Sequence, residues 1–170
     1  MSNEASCTLR VEMPRDKAWE ILRDLSRAHN YVPGLVKTEI TTEQKEGVGT
    51  SRKVYQTETK GMDETVVEWT EGYGFLIRLH RGHKGAPPPF SEAHFRYAID
   101  DDGDATRLTT SLIYTLRIGA LGGLLDRLVL NRIFRNVIRD IALSMKSYYE
   151  TGQPTRKSEL KRLRAEWKRG

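Results

Sequence analysis

The chain has 170 residues, 38% of them hydrophobic and 30% charged, which is room for one ordinary domain or one domain plus a tail. A domain of this length buries well over half of its unfolded surface, so it needs no disulfide or metal to hold it together, and the single cysteine, Cys7, excludes an internal disulfide. No apolar run approaches the roughly 18 residues of a spanning helix, and residues 1–4 lack the basic-then-apolar pattern of a signal peptide, so a reducing, cytoplasmic setting is expected.

The net charge of +5 is unevenly placed. Residues 153–170 hold seven Lys/Arg against two Glu, so the tail carries the whole excess and residues 1–152 are neutral. A nucleic-acid surface spread over the fold is therefore not expected, and any contact with a polyanion should begin at the tail.

In chain order, Cys7, Leu9, Val11 and Met13 alternate with polar neighbours and predict a half-buried strand over 6–13. Pro14 stops it, and Ala18, Ile21, Leu22 and Leu25 follow at helical spacing, predicting a short helix near 15–25. A second, very short helical piece ends at Asn30-Tyr31-Val32-Pro33-Gly34. Six strands are expected near 36–45, 50–58, 64–71, 75–81, 90–99 and 107–118, broken by glycine-bearing turns, a proline-rich loop at 81–89 and an acidic turn at 100–104. Short connections imply antiparallel neighbours.

From Gly123 a long helix is expected to about 151, with Leu130, Phe134, Val137, Ile138, Ile141, Met145 and Tyr148 on one face and Arg132, Arg135, Arg139 and Lys146 opposite. Gly152 and Pro154 end it. The order is α+β: seven antiparallel strands in a curved sheet around the long C-terminal helix, with two short helices after the first strand. On the strands, Phe75, Ile77 and Leu79 share a face, as do Ala93, Phe95, Tyr97 and Ile99, and also Leu108, Leu112, Tyr114, Leu116 and Ile118. The opposite faces carry Arg78, His80, His94, Arg96, Thr109, Ser111 and Arg117 and should meet water.

Three stretches carry a resemblance to a known family. They are Pro14 to Gly34 with Ala18-Trp19-Glu20-Ile21-Leu22 and Tyr31-Val32-Pro33-Gly34, then Gly47-Val48-Gly49-Thr50-Ser51-Arg52, then Gly119 to Gly152 with Leu124-Leu125-Asp126-Arg127. The chain resembles the SRPBCC superfamily, with its helix-grip fold, in the polyketide cyclase/dehydrase and lipid-transport (START-like) branch. The resemblance covers about residues 5–152. It implies a deep, mostly apolar cavity between sheet and long helix, in proteins that bind lipids, isoprenoid quinones, polyketides, steroids or plant hormones, some of which cyclise or dehydrate a bound polyketide. It brings no shared catalytic motif and no cofactor. It divides the chain into a ligand-binding domain over 1–152 and a tail over 153–170.

On such a fold the candidate lining residues are Trp69, Phe75, Ile77, Phe95, Tyr97, Leu112, Tyr114, Phe134, Ile138 and Ile141. The phase of strand 50–58 stays open, since Arg52, Val54 and Gln56 share one face and Ser51, Lys53 and Tyr55 the other; Arg52 or Tyr55, if inward, would orient a ligand's polar head. Of the carboxylates Glu58, Glu64 and Glu68, alternation with Val67 and Trp69 sends Glu68 to water. His80, His83 and His94 lie at a strand end and loop without the cysteines or carboxylates that would complete a metal site. There is no nucleophile elbow and no phosphate loop, and Cys7 reads as a small buried hydrophobe.

In the tail, Leu160, Leu163 and Trp167 form one helical stripe flanked by Lys157, Lys161, Arg162, Arg164, Lys168 and Arg169, with Ser158 as a candidate cap. Such a helix fits an anionic membrane surface; it equally fits a stripe packed back on the body, a solvated end or a partner's binding site. Three functions are carried forward: a binder of a hydrophobic small molecule, a cyclase or dehydratase using polar groups in the same cavity, and an interaction module acting through its tail.

Overall fold

In the computed structural model the described residues are 2–117 and 124–170, with side chains from 128 onward in the second stretch. The expected handover at 118–123, Ile118 included, and the side chains of Leu124-Leu125-Asp126-Arg127 lie outside them. The elements run β1 (Asn3–Val11), α1 (Arg15–Leu22), a 3-10 turn (Leu25–Arg27), α2 (Ala28–Tyr31), β2 (Lys37–Ile40), β3 (Ser51–Tyr55), β4 (Gly61–Thr70), β5 (Gly74–His80), β6 (Phe90–Asp102), β7 (Ala105–Leu116), α3 (Leu124–Thr151) and α4 (Lys157–Trp167). The strands form one antiparallel sheet in the order β1-β7-β6-β5-β4-β3-β2. From β2 to β7 it is a meander, and α1 and α2 carry the chain from one edge to the other.

Alternation sets the faces. In β1, Ala5, Leu9 and Val11 are buried while Ser6, Thr8 and Arg10 are exposed. α3 packs on β1 and β7, and its Ile138, Ile141, Met145, Tyr148 and Tyr149 complete a core shared with the inward residues of β5 and β6. Ser111 departs from the expected solvent contact. It lies on the outer face but is 2% exposed, bonded to the Ser6 hydroxyl at 3.1 Å.

The acidic turn is tighter than its sequence suggests. β6 runs on to Asp102 and β7 begins at Ala105, so Gly103 (φ 67°) and Asp104 alone make the bend. Its charges are met from β1 and the start of α1, by Arg10 on Asp102 and Asp104 and by Arg15 on Asp101. A second glycine is fixed by space. Gly74 (φ 139°) packs so closely on β6 that an added Cβ would stand 2.0 Å from the Tyr97 carbonyl oxygen.

Candidate functional site

Between the sheet and α3 the fold leaves a cavity of about 700 Å³. Its walls are Val54 of β3, Met62 of β4, Leu79 of β5, Phe90 and Phe95 of β6, Leu112 of β7, and Phe134, Ile138 and Ile141 of α3. Val32, Pro33, Gly34 and Leu35 after α2, Pro87 and Pro88 before β6, and the half-exposed Ile133 and Val137 of α3 also border it. A β-sheet curved over one helix cannot close on it at every point, and the side chains here do not fill the gap.

The phase of β3 is settled by Val54, which is 2% exposed and brings Arg52 inward with it. Arg52 stands opposite Glu64 of β4, and its Nε–H donates to Glu64 Oε2 at 2.6 Å. Its Nη1 donates to the Leu25 carbonyl at 2.8 Å. Burial works against the guanidinium, but the Glu64 carboxylate outweighs it and holds the Arg52 pKa above its ordinary value. Tyr31 and Tyr97 stand beside the pair, and Tyr149 packs on Tyr31. Tyr31 meets Tyr97 and Tyr149 edge-on at 6.4 and 6.2 Å, and burial raises the pKa of all three phenols. Tyr97 lines the cavity, while the Tyr149 hydroxyl is buried without a hydrogen-bond partner among the described residues. The third charged lining residue, Asp140 of α3, accepts from Arg164 at 2.5 and 3.0 Å and from Arg139 at 2.9 Å. Among the described residues, each charged side chain on the cavity wall is thus answered by a protein charge, and the lining is mostly apolar with a paired polar floor.

A family model described as polyketide cyclase / dehydrase and lipid transport matches residues 4–150. The chain belongs to this family. None of the curated proteins compared with it matches. Among solved structures, TTHA0849 from Thermus thermophilus is similar at 18% identity and a TM-score of 0.65, over 86% of this chain and 97% of that one. A START superfamily protein from Mycobacterium smegmatis is similar at 16% identity and a TM-score of 0.61, over 86% and 97%. DynU16, a putative protein in the dynemicin biosynthetic locus, is similar at 19% identity and a TM-score of 0.63, over 90% of this chain and 49% of that one. These likenesses show the helix-grip fold.

In this member of the polyketide cyclase/dehydrase and lipid-transport family, Phe95, Tyr97, Leu112, Phe134, Ile138, Ile141 and Arg52 come together on the cavity wall. Trp69 and Phe75 do not. They stack on each other at 5.4 Å, with Trp19 of α1 edge-on to Trp69 at 5.1 Å, because Glu71 accepts from both indole N–H groups and anchors Trp69 at that end of the sheet. Ile77 is 1% exposed in the core, and Tyr114 packs behind the wall against Phe90 and Phe134. Tyr55 points the other way, donating to Glu39 at 2.7 Å beneath Lys37. Glu58 sits exposed in the β3–β4 turn, and Glu68 is exposed beside Arg96. A bulge between Val66 and Glu68 reverses the phase of β4, which is why Glu64 turns inward although Glu68 turns out. His80 and His94 are half-buried, His80 against the Thr65 hydroxyl and His94 near Glu92, and His83 is exposed in the loop.

The tail's stripe meets the body. Leu160 is 6% exposed in a cluster with Leu9, Ala142 and Leu143, and Leu163 packs beside it. Glu159 accepts from Ser147, and Arg164 reaches Asp140, so α4 runs antiparallel to α3 along its outer side. Ser158 does not cap the helix; Arg156 holds that position without a side-chain bond. Lys157, Lys161, Arg162 and Lys168 remain exposed, as does Trp167 at 45%.

Proposed function

We propose that this chain binds a neutral, largely apolar small molecule of the lipid, isoprenoid/quinone or polyketide kind in the cavity, with a carbonyl or hydroxyl end toward Arg52. The observation that carries this reading is a cavity of about 700 Å³ whose described lining is mostly aliphatic and aromatic and in which Arg52, Glu64 and Asp140 are each paired within the protein. A guest with its own charge would enter a low-dielectric space without a free counter-charge, at a cost no other contact offsets. A neutral guest avoids that cost, and Arg52 and Tyr97 are the polar groups its carbonyl or hydroxyl would meet. The family's character, polyketide cyclase / dehydrase and lipid transport, supports lipid or polyketide cargo. Binding and presentation in the cytoplasm is the role we assign. Native mass spectrometry of the purified chain tests it: a retained apolar molecule is expected, and protein that stays empty after exposure to a lipid extract contradicts it.

A second reading, turnover of a bound polyketide, is favoured by the convergence of Arg52, Glu64 and Tyr97 on one part of the wall. Glu64 is engaged by Arg52, so an available general base is missing until that pair opens. Product formation from a model polyketide that is lost on replacing Tyr97 with Phe supports turnover, and none with the intact chain contradicts it.

A further inference from the structure

We propose that the rim of the cavity formed by the first half of α3, with Trp167 beside it, docks on a bilayer carrying anionic headgroups. The proposal rests on the cavity reading and names the surface through which the guest passes. Leu128, Val129, Ile133 and Val137 are 60%, 53%, 47% and 48% exposed, and all lie on this half of α3. Farther along the same helix the apolar positions Ile141, Met145 and Tyr148 are buried. Ile133 and Val137 also line the cavity mouth, so patch and cavity are continuous.

The occupant follows from charge and from direction. Arg132 and Arg135 are exposed among these aliphatic side chains. The neighbouring α4 belongs to the stretch that carries the chain's whole excess of +5. Because α4 runs antiparallel to α3, its C-terminal end is carried toward residues 133–137, and Trp167 lies on the same stripe as Leu160 and Leu163. Leu160 and Leu163 are engaged by the body, so the tail does not insert as a free amphipathic helix; Trp167, 45% exposed, is the large apolar side chain it leaves open. Aliphatic residues and an indole interleaved with guanidinium and ammonium groups match the boundary between acyl chains and acidic headgroups. An apolar guest leaving by this mouth would pass into acyl chains without crossing water.

The test is flotation of the full chain with vesicles of phosphatidylcholine alone or mixed with phosphatidylglycerol, alongside uptake of the neutral fluorophore N-phenylnaphthylamine. Binding to the mixed vesicles is expected to exceed that to phosphatidylcholine by about tenfold and to fall as salt rises. The variant Leu128→Glu with Val129→Glu, at exposed positions outside the lining, should lose about tenfold in vesicle binding while taking up the fluorophore as the parent does. No binding to mixed vesicles, equal binding to both kinds, or an unchanged variant overturns the proposal. So does capture by soluble polyglutamate as strong as by vesicles, which assigns the surface to an acidic protein. Loss of fluorophore uptake in the parent chain strikes the cavity reading instead, whatever the vesicles show.

Discussion

Arg52 and Glu64 face each other across β3 and β4 with 2.6 Å between Nε and Oε2, their side chains 2% and 11% exposed. A pair this deep is held by partner and geometry together, because either charge alone would be stranded. Glu64→Leu is expected to destabilise the chain by about 3–5 kcal/mol in urea unfolding, and Arg52→Met by a similar amount. The double replacement Arg52→Met with Glu64→Leu should cost clearly less than the two together. Additive costs would mean that the two side chains do not depend on each other.

The cavity gives a second expectation. Ile141 lines it while being 7% exposed, so a phenylalanine there has open space to enter. Ile141→Phe should change stability by less than about 1.5 kcal/mol. It should weaken N-phenylnaphthylamine binding by about tenfold, the equivalent of roughly 1.4 kcal/mol. A large loss of stability with unchanged uptake would show that the space is not the binding site.

The tail's attachment depends on pH through Asp140. Burial pushes this carboxyl up, but the hydrogen bonds from Arg164 and Arg139 outweigh it and hold the pKa below its ordinary value. The folded value therefore lies below the unfolded one. The stabilisation is complete above about pH 4 and is lost as pH falls through the folded value. Amide protection of Lys157–Trp167 should drop in that range before the sheet unfolds. Arg164→Ala should lower it already at neutral pH, by about 1 kcal/mol, as expected for a half-exposed pair. Protection that ignores both changes would mean that the Arg164–Asp140 contact does not hold α4.

Gly74→Ala tests the close approach of β5 to β6. Its Cβ would meet the Tyr97 carbonyl oxygen in a backbone conformation that L side chains rarely adopt. A loss of about 3 kcal/mol or more is expected by thermal unfolding, since backbone must move on both strands. A near-neutral result would mean that the two strands are not held at this spacing.

Much of the sheet is legible in the sequence because its strands alternate cleanly. Phe95 and Tyr97 face inward as their spacing requires, and Leu112 follows from its own strand. The cavity's polar floor is not legible in full. Two adjacent valines, Val66 and Val67, hide the bulge that turns Glu64 inward, since alternation read backwards from Trp69 points Glu64 to water. Residue type alone assigns Trp69 and Phe75 to the cavity, yet an indole also needs an acceptor, and Glu71 two residues on supplies it at the far end of the sheet. Val32 to Leu35, Pro87 and Pro88 border the site from loops, where no periodicity marks a face. The tail's stripe is visible in its spacing, but spacing does not say which surface covers it; the Arg164–Asp140 contact joins residues on separate helices.

The cavity is a largely apolar space whose described charges are paired within the protein. It is tested most directly by titrating the full chain with N-phenylnaphthylamine and with anilinonaphthalene sulfonate, which shares the ring system but carries a negative charge. The neutral probe should saturate one site and bind at least about tenfold tighter than the sulfonate, and Glu64→Gln, by freeing the Arg52 charge, should narrow that gap. Equal or tighter binding of the sulfonate, or no saturable site for either probe, would contradict the account.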